Sequence, residues 1–493
     1  MIWEGAYRLY LGEIPFRDFG IPMGVCSWII PAFFFKLFGP TLFTLAKAQA
    51  FLNIVSGLSF RWILLRLGAS FQTRFLSTVI YSLTYILGLY WPQYNHTVII
   101  FQIVAFAFLF QYINGSSTKY SWLYLMFSCF FLSVSFFTKQ DAGGLSILIG
   151  IGIISIHCYT LTNYKPLFIT FLFLTAFFSL AIIPFLQYDF SYWFNYGQAP
   201  HNSRVSIYDI VSINMEESRW EKFYLIVILG VTWIRYKQKQ IKKLDILFTL
   251  FVVGILLEAM IFQVTSYVPR DNNIFFHAFA CSYLLYYLYE IPVFRTRSTF
   301  LITFILLSVW LSGTYWRYAD GIFSKAKKTN TSEISINTYI LEPEACNYYT
   351  DLSTWRNSPL KSFAHVKMPA SAIDGMNRFL KNVRSSETKP LILNMSELTP
   401  LAHEVPFELE NGPLWFHLGV GMFDREVNFF ADRIESDYYD FVIFENLPYL
   451  NNFYPFCIRE KLQQHYQLID SFEAPRIVYP GTIEVYSRRV KSF

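Results

Sequence analysis

Apolar and polar positions divide the chain into three stretches. Residues 44–318 are a succession of long apolar runs separated by short polar ones. Runs at 44–66, 74–92, 96–113, 120–137, 143–160, 167–187, 222–236, 245–266, 273–291 and 298–317 each read as a membrane-spanning helix, the run at 222–236 being short. A span needs roughly 17–25 predominantly apolar residues. Residues 25–38, "VCSWIIPAFFFKLF", fall below that length and carry Pro31 mid-run, which fits an interfacial or re-entrant helix. The opening "MIWEGAYRLYLGEIPFRDFGIPMG" is neither a signal peptide nor a span, because Glu4, Arg8, Glu13, Arg17 and Asp18 interrupt every apolar run in it. Beyond 318 the pattern turns polar. Helix-like runs lie at 371–384, 424–436 and 458–466, and strand-like runs at 390–395, 440–445 and 476–487, with Pro480-Gly481 expected to fold the last into a hairpin. The predicted fold is mainly α: a polytopic transmembrane helical bundle with a small C-terminal α/β domain. Its domains are a first loop with an interfacial helix (1–43), a bundle of about ten spans (44–318) and a soluble domain (319–493). No internal repeat is visible, so an inverted-repeat transporter gains no support.

Composition agrees. The chain is 54% hydrophobic and 15% charged, against roughly 25% charged residues in soluble domains. The net charge of +5 does not imply a nucleic-acid partner, because the basic excess lies in short loops between apolar runs. One set of alternate loops holds Arg66, Arg74, Lys119, Lys165, the run "RYKQKQIKK", Arg295 and Arg297. The other set is aromatic, polar or mixed in charge: "WPQYNH", "TKQDAGG", residues 188–221 and "SYVPRDNN". Short basic loops stay in the cytoplasm. With an even number of spans, the N-terminal segment and the tail are both expected outside it, in a bacterium on the periplasmic side of the inner membrane. A polar N-terminus outside, with no leader, is expected to follow a span upstream of Met1. Cys26, Cys129, Cys158 and Cys281 sit in or beside apolar runs, and no metal-ligand spacing joins them to Cys346 or Cys457. No phosphate-binding glycine loop, zincin motif or dinucleotide fingerprint occurs. Neither a metal nor a cofactor is expected.

"YRLYLGEIPFRDFGIPMG" followed by "FFFKLFG" resembles the first extracytoplasmic loop of the GT-C superfamily of polyprenyl-phosphate-sugar-dependent membrane glycosyltransferases. That superfamily includes protein O-mannosyltransferases, aminoarabinose transferases and an Rgt-like branch. The matched positions are Gly12, Pro15, Arg17, Asp18 and Phe19, then Phe38-Gly39; "SFFTKQDAGGL" at 135–145 is a second match. The resemblance implies a GT-C-like bundle that moves a hexose or pentose from a polyprenyl-phosphate donor to a cell-envelope acceptor. The donor is then a substrate, and membrane lipid a partner. In the family, an acidic residue before the Gly-x-x-Pro stretch serves as the catalytic base. Only three residues precede Glu4 here, so the resemblance also implies that this acid and the first span lie upstream.

Such chemistry needs cations for the leaving phosphate and a carboxylate to take the acceptor proton. Asp18, the only Asp of the first loop, is the candidate base, or else pairs with Arg17 to shape the loop; Glu4 and Glu13 are alternatives. Lys139 and Arg270 are the candidate phosphate ligands, each beside an acid, Asp141 or Asp271, that could simply neutralise it. Glu4, Arg17, His96, Gln140, Asp141 and His277 are candidates for acceptor or sugar binding, with packing as the plainer role for the two histidines. Glu258, inside a predicted span, is either functional or hydrogen-bonded within the bundle. A transporter or lipid-linked oligosaccharide flippase, an envelope assembly protein and an inactive truncated relative remain as alternatives.

Overall fold

The computed structural model describes residues 1–115, 120–188, 190–197, 206–265, 274–289, 296–313, 354–386, 388–405, 407–448, 453–476 and 480–489. The chain forms two compact units: Gln49–Leu186 with Ser203–Ala326, and Met1–Ala48 with Gln187–Asn202 and Lys327–Phe493.

The first of these is all helical. A helix stands on each of the ten predicted runs: α3 (Leu42–Arg66), α4 (Phe71–Thr84), α5 (Tyr94–Asn114), α6 (Ser121–Phe136), α7 (Gln140–Leu161), α8 (Lys165–Ile182), α10 (Arg219–Lys237), α11 (Lys243–Thr265), α12 (Phe276–Leu288) and α13 (Arg297–Trp310). An additional short helix, α9, covers Ile207–Glu217. Among the described residues, five helices are long and apolar enough to cross a membrane, and the chain is an integral membrane protein. Helices satisfy their own backbone hydrogen bonds, which lipid cannot do for them. α4 is shorter than its apolar run, because the chain leaves helical geometry at Tyr85 and passes through a 3₁₀ turn at Ile86–Gly88 ahead of Pro92. The interior is an aromatic mesh. Phe60 stacks on Tyr81 with centroids 4.6 Å apart, and Phe251 meets Phe106 and Phe110 edge-on, each at 5.1 Å. The outside stays apolar: Phe168 and Leu180 of α8 and Ile226 of α10 are exposed, as helices facing lipid require.

The second unit is built on a five-stranded sheet with strand order β5-β4-β7-β9-β8. β4 (Leu391–Met395) lies parallel to β5 (Glu408–Leu409) and to β7 (Phe441–Asn446). β9 (Thr482–Arg488) is antiparallel to both β7 and β8 (Tyr466–Glu473). The last hairpin therefore differs from its prediction. Its first arm is β8, where Tyr466 and Phe472 face the core, and Arg476 lies outside the strand. Helix Ala370–Arg384 buries Ile373, Met376, Leu380 and Val383, spaced to share one face of a helix. Its Gly375 sits where a Cβ would come within 2.2 Å of the Phe472 ring.

The N-terminal segment belongs to this same unit. It begins with a helix the apolar pattern does not reveal, α1 (Ile2–Leu11), followed by β1 (Phe19–Gly20), a 3₁₀ turn at Cys26–Trp28 and α2 (Ile29–Phe38). α1 stops at Gly12, whose φ of 88° is left-handed. The Gly12 and Glu13 N–H groups then donate to Leu9 and Arg8 carbonyls, satisfying the helix end. β1 pairs in parallel with β6 (Gly412–Pro413), nearly four hundred residues away in sequence: the Gly412 N–H donates to Asp18 O at 3.1 Å and the Leu414 N–H to Gly20 O at 2.9 Å. α1 approaches the 3₁₀ turn so closely that a Cβ on Gly5 would lie 2.3 Å from Trp28 Cε2, and Trp28 is fully buried. Gly5→Ala is expected to destabilise this unit by about 1–3 kcal/mol through overpacking. A lowered unfolding midpoint of the purified chain checks this, and an unchanged midpoint would contradict it.

Candidate functional site

The first-loop residues sit in a network anchored on Arg8. The Arg8 guanidinium is 3% exposed. Its Nη2 donates to Glu4 Oε1 at 2.9 Å and to Glu410 O at 2.7 Å, and its Nη1 to Glu13 Oε2 at 2.9 Å. Its face covers the Phe19 ring at 5.6 Å. Glu4 and Arg8 stand four residues apart on α1, so the pair closes along one helix face. These charges, which break up the apolar pattern, are thus internally paired. With Asn394, Leu409, Asn411 and Phe416, Glu4 and Arg8 line a cavity of about 20 Å³, room for one water.

Asp18 occupies a tight turn. Its Oδ2 accepts the Ile14 N–H at 2.8 Å, and both of its oxygens accept from Arg17, at 2.8 and 2.7 Å. Phe16 holds the turn with a φ of 64°, its N–H donating to Phe19 O at 2.7 Å. The Arg17 hydrogen bond holds the Asp18 carboxyl below its ordinary range, outweighing partial desolvation. Glu13 moves the other way: burial raises its pKa despite the opposing Arg8. Because Asp18 titrates below its unfolded value of about 3.9, its contribution to stability is in place above that pH and is lost as pH falls through the lowered value. Asp18→Asn is expected to flatten that acid arm of the unfolding profile, measured as midpoint against pH; an identical arm in the variant would contradict this.

Nearby in the same unit, the segment Phe190–Gly197, helical at its ends and kinked at Phe194–Tyr196, presents Tyr192 and Tyr196. Their hydroxyls donate to Gly421 O and, at 2.7 Å, to Glu426 Oε1. The aromatic density of this loop thus serves its docking to the tail segment.

In the helical unit, Lys139 precedes α7 and is 8% exposed. Its Nζ lies 3.1 Å from Asp141 Oδ2 and 4.3 Å over the Phe262 ring. Asp141 is also held independently of the lysine. Its Oδ2 accepts from Thr265 Oγ1 at 2.6 Å, and its Oδ1 from the Ala142 N–H at 2.7 Å. Lys139 further lies 5.9 Å from the Tyr94 ring centre. The start of α5, the start of α7 and the end of α11 therefore meet here, at the end of the bundle away from the basic loops. Gln140 opens α7, half-buried. His96 is buried near the start of α5, its ring edge-on to Tyr85, and neither of its ring nitrogens has a hydrogen-bond partner among the described residues. Deeper in the bundle, Gln102 Nε2 donates to Glu258 Oε2, both residues being buried, so this intramembrane carboxylate is hydrogen-bonded within the bundle. His277 lies 3.1 Å from the Tyr224 hydroxyl and edge-on to Trp220, as a packed polar residue. Arg270 and its neighbour Asp271 fall outside the described residues.

Thus Glu4 joins Arg8, Asp18 joins Arg17, and Lys139 joins Asp141 and Thr265. Sequence reasoning passed over Arg8, whose signal was the i,i+4 spacing from Glu4, and Thr265, which carried none. No group of acidic, histidine or cysteine side chains among the described residues could hold a metal ion.

No family model matches the chain, and no curated protein matches it in sequence. Solved structures do match in fold. ArnT from Cupriavidus metallidurans bound to undecaprenyl phosphate superposes with a TM-score of 0.54 at 10% identity, covering 100% of this chain and 93% of that one. Its apo state gives 0.53 at 8% identity, covering 98% and 92%. The chain thus shares the fold of ArnT, a polytopic helical bundle with a small C-terminal α/β domain.

Proposed function

We propose that this protein is a membrane glycosyltransferase that moves a sugar from a polyprenyl-phosphate donor to an acceptor hydroxyl outside the cytoplasm. The observation that carries the reading is Lys139: a cation buried at the end of the bundle, whose counter-ion is fastened by Thr265 and the Ala142 N–H. Such a lysine can turn to a phosphate without leaving Asp141 unpaired. A donor's phosphate becomes more negative as the sugar leaves, and a fixed cation in a water-poor site stabilises that change. The apolar outer faces of α8 and α10 suit the donor's lipid tail. ArnT, whose fold the chain shares, has been solved with undecaprenyl phosphate bound. Arg270, two residues past the "SYV" of its outward loop, is the second phosphate ligand in this reading.

The acceptor proton goes to a carboxylate of the first loop. Asp18 is the sequence candidate, though its engagement by Arg17 weakens it as a base; Glu13, the alternative, is raised by burial but is itself engaged by Arg8.

The test supplies a radiolabelled polyprenyl-phosphate sugar and a cell-envelope fraction to the purified chain in nanodiscs. Label is expected to appear in the envelope fraction with stoichiometric release of polyprenyl phosphate. Movement of intact donor between leaflets, with no bond broken, would instead identify a flippase.

A further inference from the structure

The tail's sheet carries a polar cluster that donor chemistry does not use. β4 and β7 are adjacent and parallel. The chain leaving β4 returns as β5 on one side, and the chain leaving β7 passes through helix Phe456–His465 to β8 on the other. Where connections diverge from neighbouring parallel strands, a crevice opens at their carboxyl ends, and ligands of open α/β sheets bind there. At this crest stand Glu397, just past β4, and Glu445, near the end of β7. Glu445 is fully buried and accepts the Glu397 N–H at 2.9 Å and the Arg476 Nε–H. Arg476 Nη2 is 3.8 Å from Glu397 Oε1, too far for a hydrogen bond, and is buried with no hydrogen-bond partner among the described residues. The half-buried Phe453 ring packs against both the Arg476 guanidinium, at 5.8 Å, and the His417 ring, at 5.5 Å.

A buried carboxylate–guanidinium pair stabilises a fold no better than apolar packing of the same volume, so stability alone does not call for one here. The cluster has recognition capacity left over. Arg476 has a donor without a hydrogen-bond partner among the described residues, the Glu397 side chain is 51% exposed, and Phe453 offers a ring flank. Burial lowers the His417 pKa, leaving a neutral imidazole that both donates and accepts. A ring flank bordered by paired donors and acceptors matches a pyranose, whose C–H face lies on an aromatic while adjacent hydroxyls bridge guanidinium and carboxylate. Two glutamates against one arginine leave the crest net negative, which disfavours phosphate.

We propose that the crest formed by Glu397, Arg476, Phe453 and His417 binds a neutral sugar unit of the acceptor. That the sugar belongs to the acceptor rests on the glycosyl-transfer reading; the binding itself does not. The full chain in nanodiscs is titrated with chitotriose, mannotriose and galactotriose by saturation-transfer NMR, beside Glu397→Gln and Phe453→Ala, with thermal unfolding as the fold control. At least one trisaccharide is expected to bind saturably and to weaken tenfold or more in each variant, while polyprenyl-phosphate binding by the same samples is unchanged. No saturable binding by any of the three, or binding indifferent to both substitutions, overturns the proposal. Sugar binding without polyprenyl-phosphate binding would uphold the crest and count against the donor reading, so the two failures are distinguishable.

Discussion

Lys139→Met is expected to lower sugar transfer by about two to three orders of magnitude, the loss typical of removing one preorganised group that stabilises developing negative charge. The size of the effect follows from burial. The Nζ is shielded from water by Phe262 and the ends of α5 and α11, and a charge in such surroundings acts far more strongly than one in solvent. The substitution keeps the aliphatic stem that packs on Phe262. It also leaves Asp141 held by Thr265 and the Ala142 N–H, so the helical unit should survive, and an unchanged unfolding midpoint would show that it has. Lys139→Arg keeps the charge and should recover part of the rate. A Lys139→Met variant within threefold of wild type, with its fold intact, would remove the lysine from the proposed phosphate site.

The second large effect is on stability. Arg8→Met is expected to cost about 3–5 kcal/mol, because it leaves Glu4 as a buried charge without its partner. The same arginine holds Glu13 and the Glu410 carbonyl, so its loss also releases the first loop from the tail segment that β6 begins. Chemical unfolding gives the size of the loss, and limited proteolysis within residues 1–20 shows where it falls. The double variant Glu4→Gln/Arg8→Met should regain much of it, since no charge is then stranded. A cost below about 1 kcal/mol would mean that the pair is solvated and adds little.

How far these features could be read from the sequence varied with their range. The ten apolar runs declare their helices because lipid demands about twenty consecutive apolar residues, a local signal. The strands at 391–395 and 441–446 and the helix at 370–384 were legible by the same kind of short-range pattern. α1 was not, because Glu4 and Arg8 look like interruptions until the helix brings them together. β8 was missed because an edge strand with Gln467, Asp470 and Ser471 exposed or half-exposed carries a weak apolar alternation. The pairing of Phe19–Gly20 with Gly412–Pro413 leaves no local trace at all. At the site, Lys139 and Asp141 stood out by their place at a helix end. Thr265 could be found only by folding, since it is a common polar residue 124 positions from Asp141. The second docking tyrosine, Tyr196, was visible as part of an aromatic loop, but its carboxylate partner Glu426 was not.

A polyprenyl phosphate is expected to bind this chain through its phosphate. The most direct measurement titrates the purified chain in nanodiscs with undecaprenyl phosphate and, separately, with undecaprenol. Saturable binding of the phosphate, at least tenfold tighter than that of the alcohol and weakened by Lys139→Met, is the predicted result. Equal binding of the two lipids, or none of either, would contradict it.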